Sequence, residues 1–144
     1  MNGIRIIGGR CRGRRLATPS DRSVRPTSER TREALFNILD HGGLIRHASF
    51  LDLFCGTGAV GLEAWSRGAE AVWLIDRDIG LASTNVEALG RPPGLHVLRQ
   101  DGAHLGRTPK TFDLVFLDPP YRSGLAIPAL TALDQGWLNG DALI

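Results

Sequence analysis

From residue 49 onward, short apolar runs alternate with stretches of helical periodicity. SFLDLF, AVWLID, HVLRQD and FDLVFLD read as strands, being rich in β-branched, aromatic and leucine side chains and bounded by Gly, Asp or Pro. Residues 60–67, 79–89 and 124–135 read as helices, the first two closed by Gly68 and Gly90, and ALI at 142–144 begins a further strand. Strands separated by helices of this length predict βαβ units: an α/β fold with a doubly wound, mostly parallel sheet, right-handed crossovers, and ligands at the carboxyl ends of the strands.

Before residue 49 the pattern differs. IRIIGG reads as a short strand, RCRGRRL as a second strand or a loop, and residues 18–27, TPSDRSVRPT, as a loop with two prolines. A helix follows Pro26, capped by Thr27 or Ser28, with Glu29 in its first turn, an apolar stripe of Ala34, Leu35, Ile38 and Leu39, and Gly42-Gly43 at its end. This divides the chain into a basic N-terminal segment, 1–26, and an α/β domain, 27–144.

Composition refines this picture. The 144 residues are one domain's worth, and 42% apolar with 22% charged is ordinary for a soluble globular protein. No apolar run approaches the ~20 residues of a membrane span, the N-terminus lacks a signal-peptide pattern, and the two cysteines, Cys11 and Cys55, form neither a disulfide framework nor a zinc motif. A cytoplasmic location is expected. The net charge of +2 hides an asymmetry: residues 1–32 hold nine arginines against Asp21 and Glu29, and the remainder is net acidic. Arginine binds phosphate bidentately and stacks on bases, so this arm suits a polyanion such as nucleic acid.

The strand ends carry the candidate chemistry. Asp52-Leu-Phe-Cys-Gly56-Thr-Gly58-Ala-Val-Gly61 lies at the first strand-to-helix turn. Gly56 and Gly58 admit a ligand close to the backbone, and Gly61 allows close helix–sheet packing. Such a loop also fits a dinucleotide, but a carboxylate at Asp52 repels pyrophosphate and suits an amino acid's ammonium group, which favours S-adenosylmethionine over NAD. Asp76 ends the second strand of the sheet, where a carboxylate can accept both ribose hydroxyls. Asp78 reads as a helix cap. Asp101 ends the third strand and would accept an adenine amino group beside the Gly102 and Ala103 backbone.

FDLVFLDPPY closes a buried strand with an acid, two prolines and the only tyrosine of the chain. The prolines end the strand. An exocyclic base amine is a poor nucleophile because its lone pair is delocalised into the ring. The Asp118 carboxylate and the Pro119 carbonyl could grip both N–H bonds and turn the lone pair outward, Pro120 would stiffen the loop, and Tyr121 could stack on the base. His41, His47, His96 and His104 lack ligand spacing, Trp65, Trp73 and Trp137 read as packing residues, and methyl transfer to nitrogen needs no metal.

IRIIGGRCRGRRL, VRPTSERTREALFNIL, LDLFCGTGAVGLEAWSRGA and FDLVFLDPPY together resemble the bacterial small-subunit (16S) ribosomal RNA guanine-N2 methyltransferases over essentially the whole chain. The basic segment and RPT-x-x-R-x-RE-x-LFN-x-L are the specific part, whereas the glycine loop and DPPY are shared with many amino-methylating enzymes. The resemblance implies the Rossmann-like fold of class I S-adenosylmethionine-dependent methyltransferases, with Asp52, Gly56, Gly58, Asp76, Asp101 and Gly102 holding S-adenosylmethionine. It implies an acceptor site of Asp118, Pro119, Pro120 and Tyr121. Arg10, Arg12, Arg14, Arg15, Arg25 and Thr27 would serve RNA, with 16S ribosomal RNA or the assembling small subunit as partner. A monomer is expected. Cys55 stands where the family often has alanine, and family members continue some tens of residues past the ALI strand, so a C-terminally truncated chain is expected. An adenine-N6 DNA methyltransferase, an NAD-dependent oxidoreductase and a catalytically dead RNA-binding module are the alternatives. Asp52 and DPPY oppose the oxidoreductase, and the first option usually needs a separate target-recognition region.

Overall fold

The computed structural model describes residues 4–19, 28–120 and 122–144. The chain order is β1 (Ile4–Arg5), β2 (Arg15–Leu16), α1 (Glu29–His41), β3 (Ser49–Leu53), α2 (Ala59–Ser66), β4 (Ala71–Asp76), α3 (Gly80–Ala88), β5 (Leu95–Arg99), β6 (Phe112–Leu117), α4 (Ala126–Leu133) and β7 (Leu138–Leu143). β1 and β2 form an antiparallel pair. The other five strands form one sheet in the order β5-β4-β3-β6-β7, and every neighbouring pair is parallel. The order reverses direction between β3 and β6, and that switch point opens the crevice in which doubly wound sheets bind ligands.

Side chains alternate across each strand, so the sheet has two cores. Phe50, Val72, Leu74, Leu95 and Leu114 pack on one face with α1, α2, α3 and the N-terminal hairpin. Leu51, Leu53, Ile75 and Val115 pack on the other with Ala129, Leu133 and Trp137 from α4 and its C-terminal turn. β3 is buried along its whole length, as a central strand covered on both faces must be. Gly61 seats α2 on the sheet: a Cβ there would come within 2.2 Å of Leu74 Cδ2.

Two expectations are corrected. In α1 the N-cap is Ser28, whose hydroxyl accepts the Thr31 N–H, but the buried face is Arg32, Phe36 and Leu39. Ala34 is exposed and Ile38 is 71% exposed. The buried stripe follows the i, i+4, i+7 spacing starting from an arginine, which a search for apolar residues passes over. The last strand begins at Leu138 rather than at ALI. Trp137 is fully buried, stacked on Phe112 with ring centroids 6.0 Å apart, and its carbonyl accepts the Phe112 N–H. The polar Asn139-Gly140-Asp141 run is absorbed as a bulge, since Phe112 and Leu114 of β6 face Leu138 and Leu143 of β7. Asn139 is held by its side-chain bond to Asp113.

The N-terminal hairpin is fastened to α2 through a buried polar centre. Glu63 is fully buried and accepts four hydrogen bonds: from Ile7 N–H and Arg32 Nε on Oε1, and from Gly8 N–H and Arg67 Nε on Oε2, at 2.8 to 3.3 Å. Arg32, itself fully buried, also donates to the Arg5 carbonyl. Ser66 Oγ accepts the Cys11 N–H and donates to the Gly8 carbonyl. Arg32 is therefore a structural ion and not a surface charge.

Candidate active site

The strand register brings the acids to one edge. Leu53 pairs with Ile75 on one side and Leu117 on the other. Asp76 and Asp118 stand one residue beyond that row, Asp52 one residue before it. With neighbouring strands ~4.8 Å apart, Asp76 and Asp118 flank the end of β3 at backbones roughly 10 Å apart. Asp76 is level with Arg99 at the end of β5, and Asp101 lies two residues further on.

The loop between β3 and α2 is built for close approach. Gly56 and Gly58 have φ of +56° and +83°. A Cβ at Gly56 would meet no atom within 4 Å, whereas at Gly58 it would sit 3.0 Å from Leu74 Cδ1. Gly56 therefore exposes bare backbone to the crevice, and Gly58 packs the loop onto β4. Cys55 N–H bonds to the Ile75 carbonyl and Gly58 N–H to the Cys55 carbonyl, so the loop is closed on itself and on β4. Asp76 Oδ2 accepts the Gly56 N–H at 2.8 Å, and Oδ1 accepts the Arg77 N–H.

Phe54 holds φ +64°, a strained position for a bulky residue. That turn lays its ring over Gly102, where a Cβ would come within 2.7 Å of the ring. The sequence motif assigns the Gly102 backbone to the cofactor, and the Phe54 ring is a separate reason for a glycine there. Its neighbour Asp101 accepts the Ala103 N–H at 2.9 Å and lies 3.0 Å from His104 Nδ1. The Ala103 N–H and His104 hold the Asp101 carboxyl below its ordinary value. His104, which lacks ligand spacing in the sequence, thus belongs to the turn that fixes a site acid.

Asp52 is 1% exposed and accepts the Gly61 N–H at 2.9 Å. Burial pushes its carboxyl pKa well up, Gly61 opposes, and the charges of Asp76 and Asp118 push it further. Burial, and then Asp52 and Asp76, also push the Cys55 thiol up, so that thiol is inert. Asp118 and Pro120 are exposed and Pro119 is half-buried at the end of β6. The Pro120 carbonyl accepts the Ser123 N–H. Tyr121, Arg25 and Thr27 lie outside the described residues.

The candidate RNA-binding arginines are not gathered at this edge. α2 runs from the glycine loop toward the opposite end of the sheet, ~12 Å for its eight residues. The tip of the hairpin meets that far end: Arg10 N–H bonds to the Ser66 carbonyl. The Arg10 guanidinium donates to the Trp65 carbonyl and lies 3.7 Å over the Trp65 ring. Arg14 donates to the Ala88 carbonyl, the last of α3. Both are cations at helix C-termini, a favourable placement in its own right. Arg12 and Arg15 are exposed, with no side-chain partner among the described residues. A cleft of about 430 Å³, lined by Arg10, His47, Trp65, Glu70, Pro92 and Pro93, also lies at this far end and not beside the acids.

A glycine loop after the central strand and carboxylates across three strand ends, on a parallel β5-β4-β3-β6-β7 sheet, define a Rossmann-like fold of the class I methyltransferase type. Residues 4–144 match the family described as Conserved hypothetical protein 95, and the chain belongs to that family. It is 40% identical over 145 residues to ribosomal RNA small subunit methyltransferase D of Escherichia coli K12, covering 98% of this chain and 72% of that protein. The solved structure of yhhF from Escherichia coli superposes with a TM-score of 0.82 at 38% identity, covering 96% of this chain and 76% of that one. The tRNA (uracil-54, C5)-methyltransferase of Pyrococcus abyssi, solved in complex with S-adenosyl-L-homocysteine, shares the fold at a TM-score of 0.53 and 25% identity, covering 72% of this chain and 26% of that one. The chain is a methyltransferase by these relationships.

Proposed function

We propose that this methyltransferase transfers the methyl group of S-adenosylmethionine to the exocyclic N2 amine of a guanine in small-subunit ribosomal RNA. One observation carries the reading: Asp118 directly follows β6, the strand next to β3, and so stands at the same edge of the sheet as the glycine loop and Asp76. Donor and acceptor sites are then one strand apart. The Escherichia coli relative, a ribosomal RNA small subunit methyltransferase by name, supports the substrate class.

The residues present fit the methyl donor. Gly56 leaves open backbone where an added Cβ meets nothing. Asp76 is half-buried at its rim, with each carboxylate oxygen retaining a lone pair for a hydroxyl. Asp52, destabilised as an anion by burial, would be relieved by an ammonium group placed against it. When bound, the sulfonium supplies an electrophilic methyl whose S–C bond breaks as the N–C bond forms, leaving the electron pair on sulfur.

The chain's own residues prepare the nucleophile. The Asp118 carboxylate and the Pro119 carbonyl accept the two amine N–H bonds and turn the lone pair toward the crevice. The amine proton released on methylation passes from the Asp118 side to solvent, to which Asp118 is open. Pro119 and Pro120 restrict the loop so that this geometry exists before the base arrives. Tyr121 would stack on the base, a role that rests on the sequence motif.

The test is methyl transfer from labelled S-adenosylmethionine to small-subunit ribosomal RNA, small-subunit particles and duplex DNA, followed by identification of the labelled nucleoside. N2-methylguanine from a ribosomal substrate is the expected product. N6-methyladenine from DNA would replace this reading with the adenine alternative. Asp118→Ala should abolish transfer while leaving S-adenosylmethionine affinity within a few-fold, and unchanged turnover would refute the acceptor assignment.

A further inference from the structure

Asn85 lies in α3 and is 1% exposed, and its amide is fully committed. Its Oδ1 accepts the Ala17 N–H at 2.6 Å, and its Nδ2 donates to the Ala17 carbonyl at 3.2 Å and to the Thr57 carbonyl at 2.9 Å. The amide orientation is fixed by its partners, because Ala17 N–H needs an acceptor and Thr57 C=O a donor. One side chain therefore clasps two segments 40 residues apart. Ala17 directly follows β2, the strand that carries Arg15. Thr57, itself buried, stands between Gly56 and Gly58 at the centre of the glycine loop. Moving either segment strands a buried polar group, which is costly, so their positions are not independent.

We propose that Asn85 is a positioning residue that couples the glycine loop to the basic N-terminal segment, so that S-adenosylmethionine and RNA each strengthen the binding of the other. This coupling rests on the proposed function. A ligand that fixes Thr57 fixes the amide plane and with it Ala17. By linkage, RNA that fixes the segment beyond β2 must tighten the cofactor by the same factor.

The experiment measures the affinity of the full chain for a small-subunit ribosomal RNA transcript with and without saturating S-adenosylhomocysteine. The wild type should bind RNA roughly five-fold or more tightly with the ligand present. Asn85→Ala should bring that ratio close to one. Ala17→Pro removes the same N–H from the segment side without touching α3, and should do likewise. A purely structural role would lower both affinities and leave their ratio alone. In the wild type, hydrogen exchange at the Ala17 amide should slow when S-adenosylhomocysteine is added, a readout independent of how well either variant folds. Exchange at Ala17 that the ligand does not alter, or a ratio unchanged in the variants, overturns the coupling and leaves the proposed function standing. A wild type that binds neither ligand overturns the function and the coupling with it.

Discussion

Glu63→Gln removes one charge from the buried centre that fastens the hairpin to α2. The glutamate accepts four donors, two of them cationic. A glutamine of the same shape turns its NH2 toward one pair of them, setting donor against donor. The two arginines suffer unequally. Arg67 keeps Asp40, 2.8 Å away on a partly exposed side chain. Among the described residues, Arg32 keeps only the Arg5 carbonyl, and its Nη1 already lacks a hydrogen-bond partner. Burial pulls the Arg32 pKa down, against the pull of Glu63, which shows the sign of the imbalance once Glu63 is neutral. Breaking a buried pair from one side costs about 3–5 kcal/mol, a large share of the ~5–15 kcal/mol of a typical domain. With a urea m-value of about 2 kcal/mol/M, the midpoint should fall by about 2 M. Arg32→Met in the Glu63→Gln background removes the stranded cation and should recover ~2 kcal/mol. A loss below about 1 kcal/mol for Glu63→Gln, or a double variant no more stable than the single one, would refute this account of the centre.

Gly102→Ala pushes a Cβ into the Phe54 ring and should weaken S-adenosylmethionine binding by about ten-fold, read by calorimetry, since ~1–3 kcal/mol of overpacking must be relieved by moving the Asp101 turn. Asp52 has a folded pKa above its ordinary value of 3.8, so the native state holds more protons than the unfolded one between those two values. Stability from this group is therefore lost as pH rises through that window, and Asp52→Asn should flatten the pH–stability curve there; an unchanged slope would show that Asp52 is not the group responsible. Arg12→Glu with Arg15→Glu should weaken RNA binding and reduce its salt dependence, whereas Arg14→Gln should chiefly lower the melting temperature by releasing the end of α3. Equal effects of all three on the salt slope would show that the helix contact of Arg14 does not exempt it from RNA.

Much of the α/β unit was legible because its signals are local. β4 begins and ends at the residues that the AVWLID run marks, and Gly68 and Gly90 take positive φ just past α2 and α3. The strand-end acids were legible for the same reason: a parallel sheet with helical crossovers puts every strand's carboxyl end on one edge. What escaped the sequence depends on partners far along the chain. Glu63 reads as an ordinary helix acid until Ile7, Gly8 and Arg32 arrive from 31 to 56 residues away. Asn85 is likewise unreadable without Ala17, 68 residues distant. Phe54 carries no local mark of its positive φ, and its ring meets Gly102 from 48 residues away. Asn139-Gly140 has the signature of a turn, yet the burial of Trp137 against Phe112 draws it into β7.

The placement of the arginines changes how RNA would engage the chain. Density of positive charge alone suggests that the arm grips phosphates, and says nothing of where. The structure anchors the tip of the hairpin at the far ends of α2 and α3, and it spends Arg10 and Arg14 on helix carbonyls there. The segment then returns along α3 to Ala17, level with the glycine loop through Asn85. RNA that touches both Arg12 and Asp118 would therefore span at least the ~12 Å height of α2. A target base flipped into the DPP edge would then be held by contacts well removed from it, and the tie at Asn85 would bring that distant hold to bear on the loop that receives the methyl donor.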